Sequence, residues 1–129
     1  MPNTLLDPQT WRAALAGFPA VAAAWVFGSQ AREGARPDSD LDVGILFAAA
    51  PAFDDLLRLR ACLQIALRFE AIDLVVLNNA SPILRFEAVS GLSVFVHDPD
   101  KAAAFVSLTA REYEDETALS QRWLRSPAA

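Results

Sequence analysis

Phe27-Gly28-Ser29-Gln30-Ala31-Arg32-Glu33-Gly34-Ala35-Arg36-Pro37-Asp38-Ser39-Asp40-Leu41-Asp42 is the stretch on which the reading of this sequence turns. Strand side chains alternate between faces, so Asp40 and Asp42 point the same way, about 6–7 Å apart along the chain. Leu41, Val43, Ile45 and Phe47 then take the opposite, buried face, and Gly44 leaves room on the carboxylate face. Two carboxylates held together repel each other unless a cation sits between them. Oxygen ligands on an open edge suit Mg²⁺, which binds through one or two carboxylates plus substrate phosphates. Upstream, Gly28-Ser29 ends an apolar run and opens a helical turn, where free backbone N–H groups attract phosphate. Gly28 admits the close approach, Ser29 adds a hydroxyl donor, and Arg32 lies one turn further on, in reach of the same phosphates. The pattern is neither G-x-x-x-x-G-K, since Lys101 is remote, nor G-x-G-x-x-G, since Gly28 and Gly34 are six apart.

A third acid appears in Ala71-Ile72-Asp73-Leu74-Val75-Val76, where Ile72, Leu74 and Val76 share one face and Asp73 takes the other. If that strand lies beside residues 41–47, Asp40, Asp42 and Asp73 converge. Three acids can hold two metal ions about 3.5–4 Å apart, the arrangement that clamps an in-line phosphoryl displacement. Further apolar runs at residues 23–27, 72–77 and 92–97 read as strands. Asp7-Pro8, Ser81-Pro82 and Asp98-Pro99 each set a capping side chain before a proline at a first helical position. They predict helices over 8–15, over 82–89 with a stop at Gly91, and from 99 to about 123. Leu56, Leu59, Leu63 and Leu67 recur at helical spacing and predict another between 53 and 70. Helices alternating with strands make the fold α/β, with helices packed on a small sheet.

The chain has 129 residues, the length of a single domain spanning 1–129. At 53% hydrophobic and 21% charged residues it is no disordered chain. A net charge of -5 argues against gripping a nucleic-acid backbone. One cysteine, Cys62, leaves neither an internal disulfide nor a thiolate zinc site. Met1-Pro2-Asn3-Thr4 lacks the basic start of a signal peptide, and no apolar run nears the roughly 20 residues of a membrane span. A soluble, cytoplasmic protein is the expectation.

Gly-Ser, ten intervening residues, then Asp-x-Asp resembles the signature of the polymerase-β-like nucleotidyltransferase superfamily. Val26-Phe27-Gly28-Ser29-Gln30-Ala31-Arg32, Pro37-Asp38-Ser39-Asp40-Leu41-Asp42, and Ile72-Asp73-Leu74-Val75-Val76-Leu77 followed by Ser81-Pro82-Ile83-Leu84-Arg85 look like the minimal nucleotidyltransferases encoded beside HEPN-domain toxins. The resemblance spans about residues 20–123. It implies a small mixed sheet of about four strands flanked by helices. It implies that Asp40, Asp42 and Asp73 bind two Mg²⁺ ions, with Asp73 as base or positioner, and that Gly28, Ser29 and Arg32 hold the ATP triphosphate. The activity implied is that of an antitoxin moving AMP from ATP to a tyrosine of its cognate HEPN ribonuclease toxin, in a hetero-oligomer with it. The Glu33-Gly34 order, where relatives often carry glycine directly after the arginine, departs from the pattern and bears on local loop shape.

Plainer readings stand beside these. An isolated Asp-x-Asp is ordinarily a turn and cap; the Gly-Ser pair and Asp73 in register argue against that here. Ser29 also suits a helix cap, Arg36 suits solvent, and Asp54-Asp55 suit a helix start. His97 reads as structural and Cys62 as core. Glu112-Tyr113-Glu114-Asp115-Glu116 reads as a solvated helix face. The stripe Phe105, Leu108, Tyr113, Leu119, Trp123, Leu124 is broader than a small sheet needs; most of it is expected to pack on the core, and part of it to form a partner interface. Two other functions compete: neutralising the toxin by binding alone, and modifying a small molecule. The second normally uses an added acceptor domain, for which the few residues after Trp123 leave no length.

Overall fold

In a computed structural model, residues 4–31 and 39–125 are described. Four strands, β1 (Val21–Phe27), β2 (Leu41–Phe47), β3 (Ile72–Val76) and β4 (Leu92–Val96), form one sheet in the order β3-β2-β1-β4. β1 is antiparallel to both β2 and β4, while β2 and β3 run parallel. The sheet is therefore mixed, as expected. Its crossover between parallel strands is the helix α2 (Phe53–Leu67); the other helices are α1 (Pro8–Leu15), α3 (Pro82–Val89) and α4 (Pro99–Arg125).

All three cap-proline pairs work as read. Asp7 accepts from the N–H of Gln9, Ser81 from that of Leu84 and Asp98 from that of Lys101, at 3.1, 3.2 and 3.1 Å. α2 ends at Leu67, three residues before the expected limit, because Arg68 turns left-handed at φ 52. Its N–H reaches back to the carbonyls of Gln64 and Ile65, closing the helix without a glycine. β3 stops at Val76 where a strand to 77 was expected. Leu77–Asn79 instead form a 3-10 turn, and the Asn78 side chain continues the pairing by exchanging two hydrogen bonds with the backbone of Phe47, both 2.9 Å.

The central strand β1 is buried along its whole length. One face of the sheet packs on α1 and α2 through Trp11, Leu15, Leu59, Leu63 and Leu67, against Leu41, Val43, Ile45 and Phe47. Trp11 is fully enclosed, and its indole N–H donates to the Leu5 carbonyl at 2.7 Å. Cys62, half-buried, packs against this core and lies 3.2 Å from the Ala14 carbonyl. The other face meets α3 and α4 through Trp25, Phe27, Leu46, Leu77, Ala88 and Ala102. Gly44 lies on this face, but the room beside it is filled: an added Cβ would stand 3.1 Å from both Ala88 and Leu77.

α3 ends just before Gly91, as expected, but Ser90 caps it in right-handed geometry, and among the described glycines only Gly28 has positive φ, so the stop does not depend on a left-handed Gly91. Close packing accounts for the glycine. A Cβ at Gly91 would lie 2.3 Å from the Val26 carbonyl oxygen and 2.9 Å from Phe27 Cβ. Gly91→Ala is therefore expected to push β4 off β1 and lower stability by about 1–3 kcal/mol, read as a shifted urea midpoint.

Candidate active site

Asp42 and Asp73 are register partners on the parallel pair β2–β3. Neighbouring strands lie about 5 Å apart and partner side chains share a face, so these carboxylates stand side by side. Asp40, exposed just before β2, is two residues upstream of Asp42, and its charge is felt there. Asp42 is half-buried, and its carboxyl is pushed above the ordinary aspartate range. Burial is the largest cause, followed by the charges of Asp73, Asp40 and Glu87. Of the three acids, Asp42 and Asp73 are brought side by side, and the charges of Asp40 and of a fourth acid, Glu87, are felt at Asp42.

Gly28 ends β1 in left-handed conformation, φ +74, and faces Asp42 directly: a Cβ there would stand 2.1 Å from Asp42 Oδ2. Only a glycine leaves the backbone this close to the carboxylate. Ser29 is exposed, its hydroxyl bound to no described residue, at the start of a single 3-10 turn, Ser29–Ala31. Backbone N–H groups and the Ser29 hydroxyl are the donors this turn offers. Gln30 donates from Nε2 to the Ser39 carbonyl at 2.9 Å, tying this turn to the start of β2. Arg32, like Arg36 and Glu33-Gly34, lies outside the described residues.

Glu87, on α3, was missed in the sequence. Ile83, Glu87 and Ser90 recur at i, i+4 and i+7, which is the signal that they share a helix face, and all three line a cleft of about 480 Å³ beside Gly28. Tyr113 lines it too and stacks on Phe86, ring centroids 3.9 Å apart. The expectation of a solvated face over 112–116 therefore fails at its start. Glu112 pairs with Arg85 at 3.2 Å, and only Glu114, Asp115 and Glu116 are exposed. Arg85 is structural: it donates to the Leu77 and Asn78 carbonyls and lies over the Phe105 ring. His97 is exposed beside Phe95, with no tie to the acids among the described residues.

The far end of α4 does not pack on the core. A 27-residue helix is about 40 Å long, while strands of five to seven residues reach only about 17–23 Å. Beyond Tyr113, Leu119, Trp123 and Leu124 are 52%, 76% and 87% exposed.

Among the described residues no group of three or more histidine, cysteine, aspartate or glutamate side chains is placed to hold a metal ion. By the chemistry of its donors, the Asp42–Asp73 pair with Asp40 nearby would suit Mg²⁺: carboxylate oxygens that repel one another, with no side chain at Gly28 to crowd Asp42.

Adjacent acids on parallel strands, facing a glycine-serine turn on a mixed sheet flanked by helices, define a nucleotidyltransferase fold. The chain belongs to the polymerase β nucleotidyltransferase family, whose profile matches residues 9–100. Solved structures agree. One is a toxin–antitoxin with AMP-PNP, 24% identical over 92% of this chain and 96% of that one, TM-score 0.74. Another is a tri-AMPylated Shewanella oneidensis HEPN toxin in complex with MNT antitoxin, 22% identical over 94% and 95%, TM-score 0.69. A third is the toxin–antitoxin MntA-HepT, 22% identical over 92% and 94%, TM-score 0.68. At these identities the likeness is one of fold. No curated protein matches the sequence. Among the described residues no helix is long and apolar enough to cross a membrane.

Proposed function

We propose that this chain is an antitoxin that transfers AMP from ATP to a tyrosine of a HEPN-domain ribonuclease toxin. The observation that carries the reading is Asp42 in register with Asp73 and pressed against Gly28. Support comes from the neighbouring structures, one with AMP-PNP and one with an AMPylated toxin. Asp40 and Asp42 would hold Mg²⁺, with Asp73 completing the set for two ions. The metal, when bound, neutralises these acids and stabilises charge on the α-phosphate. Gly28 and Ser29 hold the triphosphate through backbone and hydroxyl donors, joined by Arg32. The tyrosine oxygen attacks the α-phosphorus in line, the bond to the pyrophosphate oxygen breaks, and Asp73 takes the tyrosine proton. Repulsion raises the Asp42 carboxyl only while the acids are unneutralised.

A second reading, neutralisation by binding alone, is favoured by the exposed end of α4. Intact mass of the HEPN partner after incubation with this protein, ATP and Mg²⁺ separates the two. Gains in steps of one AMP, absent with the Asp40→Asn, Asp42→Asn protein, are expected. A stable complex with no mass gain would leave binding as the function.

A further inference from the structure

Alternating steps of three and four carry one stripe along α4, from Ala102 and Thr109, which are buried, to Glu116, Leu119 and Trp123, which are exposed. Its first half packs on the protein's own core, and no described residue covers its second half. α2 has the converse feature. Phe53 and Leu57, both exposed, form with Arg60 one wall of a groove of about 320 Å³. The other wall is Ile72 and Leu74 of β3, the outer strand of the sheet. Arg60 donates from Nε to the Ile72 carbonyl at 3.1 Å, and among the described residues no ion pair takes its terminal nitrogens. Glu116 likewise has no ion pair among them. The two surfaces match in a single antiparallel register. With Leu57 set opposite Leu119, Phe53 falls opposite Trp123 and Arg60 opposite Glu116, since both series step by four and then by three. Within one chain they cannot meet, because α2 packs on one face of the sheet and α4 on the other.

We propose that the occupant of the α2–β3 groove is the α4 end of a second copy of this chain, with Trp123 on Phe53, Leu119 on Leu57 and Glu116 on Arg60. The exchange is reciprocal, each copy giving its α4 end and receiving the other's, so the assembly closes as a two-fold pair. The aromatic and leucine contacts supply the affinity. The Arg60–Glu116 pair adds little affinity and fixes the register, giving local attraction between copies whose net charge of -5 repels at long range. This assembly does not depend on the nucleotidyl-transfer reading.

Sedimentation equilibrium of the full chain over a concentration series tests this. Wild type is expected to reach the mass of two chains and no more. Trp123→Ala, at a position exposed in the single chain, should weaken the pair about a hundredfold. Arg60→Glu or Glu116→Arg alone sets like charges opposite each other and should weaken it about tenfold. The two together should return the constant to within about threefold of wild type. That repair is what loss of the Arg60 bond to the Ile72 carbonyl could not produce. Should Arg60→Glu fail to fold, Trp123→Ala and Glu116→Arg, both at exposed positions, still decide the matter. Wild type with the mass of one chain at every concentration, or with a mass that climbs past two, would overturn the proposal. So would a pair untouched by Trp123→Ala, or a double variant no better than the worse single one. Wild type of one-chain mass whose Trp123→Ala form loses affinity for the HEPN protein would give the α4 end to that partner instead.

Discussion

Asp42→Asn is expected to reduce AMP transfer by about 10³-fold or more while leaving the protein more stable at neutral pH. The loss follows from the place of Asp42 among the acids: half-buried, two residues after Asp40 and in register with Asp73 on the next strand. Metal-based stabilisation of a phosphoryl transition state is worth several kcal/mol, and each 1.36 kcal/mol is a factor of ten in rate. An amide oxygen retains the shape and loses the charge.

The gain in stability follows from the direction in which the Asp42 carboxyl is displaced. Its folded-state value lies above the unfolded one, through burial first and then through Asp73, Asp40 and Glu87. Folding thus favours the protonated form. The stability this brings is fully present below the ordinary carboxylate range and drains away as pH rises through the raised value. At neutral pH wild type carries the repulsion and the asparagine variant does not. Thermal melts across pH 3–8 should therefore show the two proteins diverging as pH rises, with the variant higher. Added Mg²⁺ should raise the wild-type melting temperature at pH 7 and move the variant less, since the cation answers the repulsion that the substitution removed. Equal melting at every pH would mean that Asp42 feels no such crowding.

What was legible in the sequence was local or periodic. A capping side chain and its proline act within one turn, so all three helix starts could be read without knowing the rest of the fold. Alternation over Leu41–Phe47 placed Asp42 on one face and the core on the other before the neighbouring strands were known. The acids were legible for the same reason, once β3 was placed beside β2. What escaped depends on residues far apart in the chain. The space beside Gly44 is taken by Leu77 and Ala88, and Gly91 is required by the carbonyl of Val26 on another strand. Glu87 enters the site only because α3 docks on the sheet face that carries Asp42. The left-handed Arg68 offered no glycine to mark the end of α2. The exposure of Trp123 follows from the mismatch between a long α4 and short strands, which composition does not reveal.

Gly28→Ala is expected to abolish detectable transfer and to lower stability by about 2–3 kcal/mol. Two separable effects add to this. At φ +74 any side chain raises the energy of the turn, by about 1–2 kcal/mol. The added Cβ, 2.1 Å from Asp42 Oδ2, also forces that carboxylate out of its present position. Only the second effect needs the Asp42 side chain, so the two can be told apart in a double-mutant cycle. In the Gly28→Ala, Asp42→Ala protein the contact is gone and the backbone penalty alone remains. The cost of Gly28→Ala should therefore shrink by about 1 kcal/mol or more in the Asp42→Ala background, against the few tenths expected of independent sites. Urea unfolding of the four proteins gives this coupling directly. Additive costs would show that Asp42 has room to move and that Gly28 is needed for its backbone conformation alone. A coupled result would show that one glycine both shapes the turn and sets the position of the carboxylate to which the proposed transfer assigns the metal.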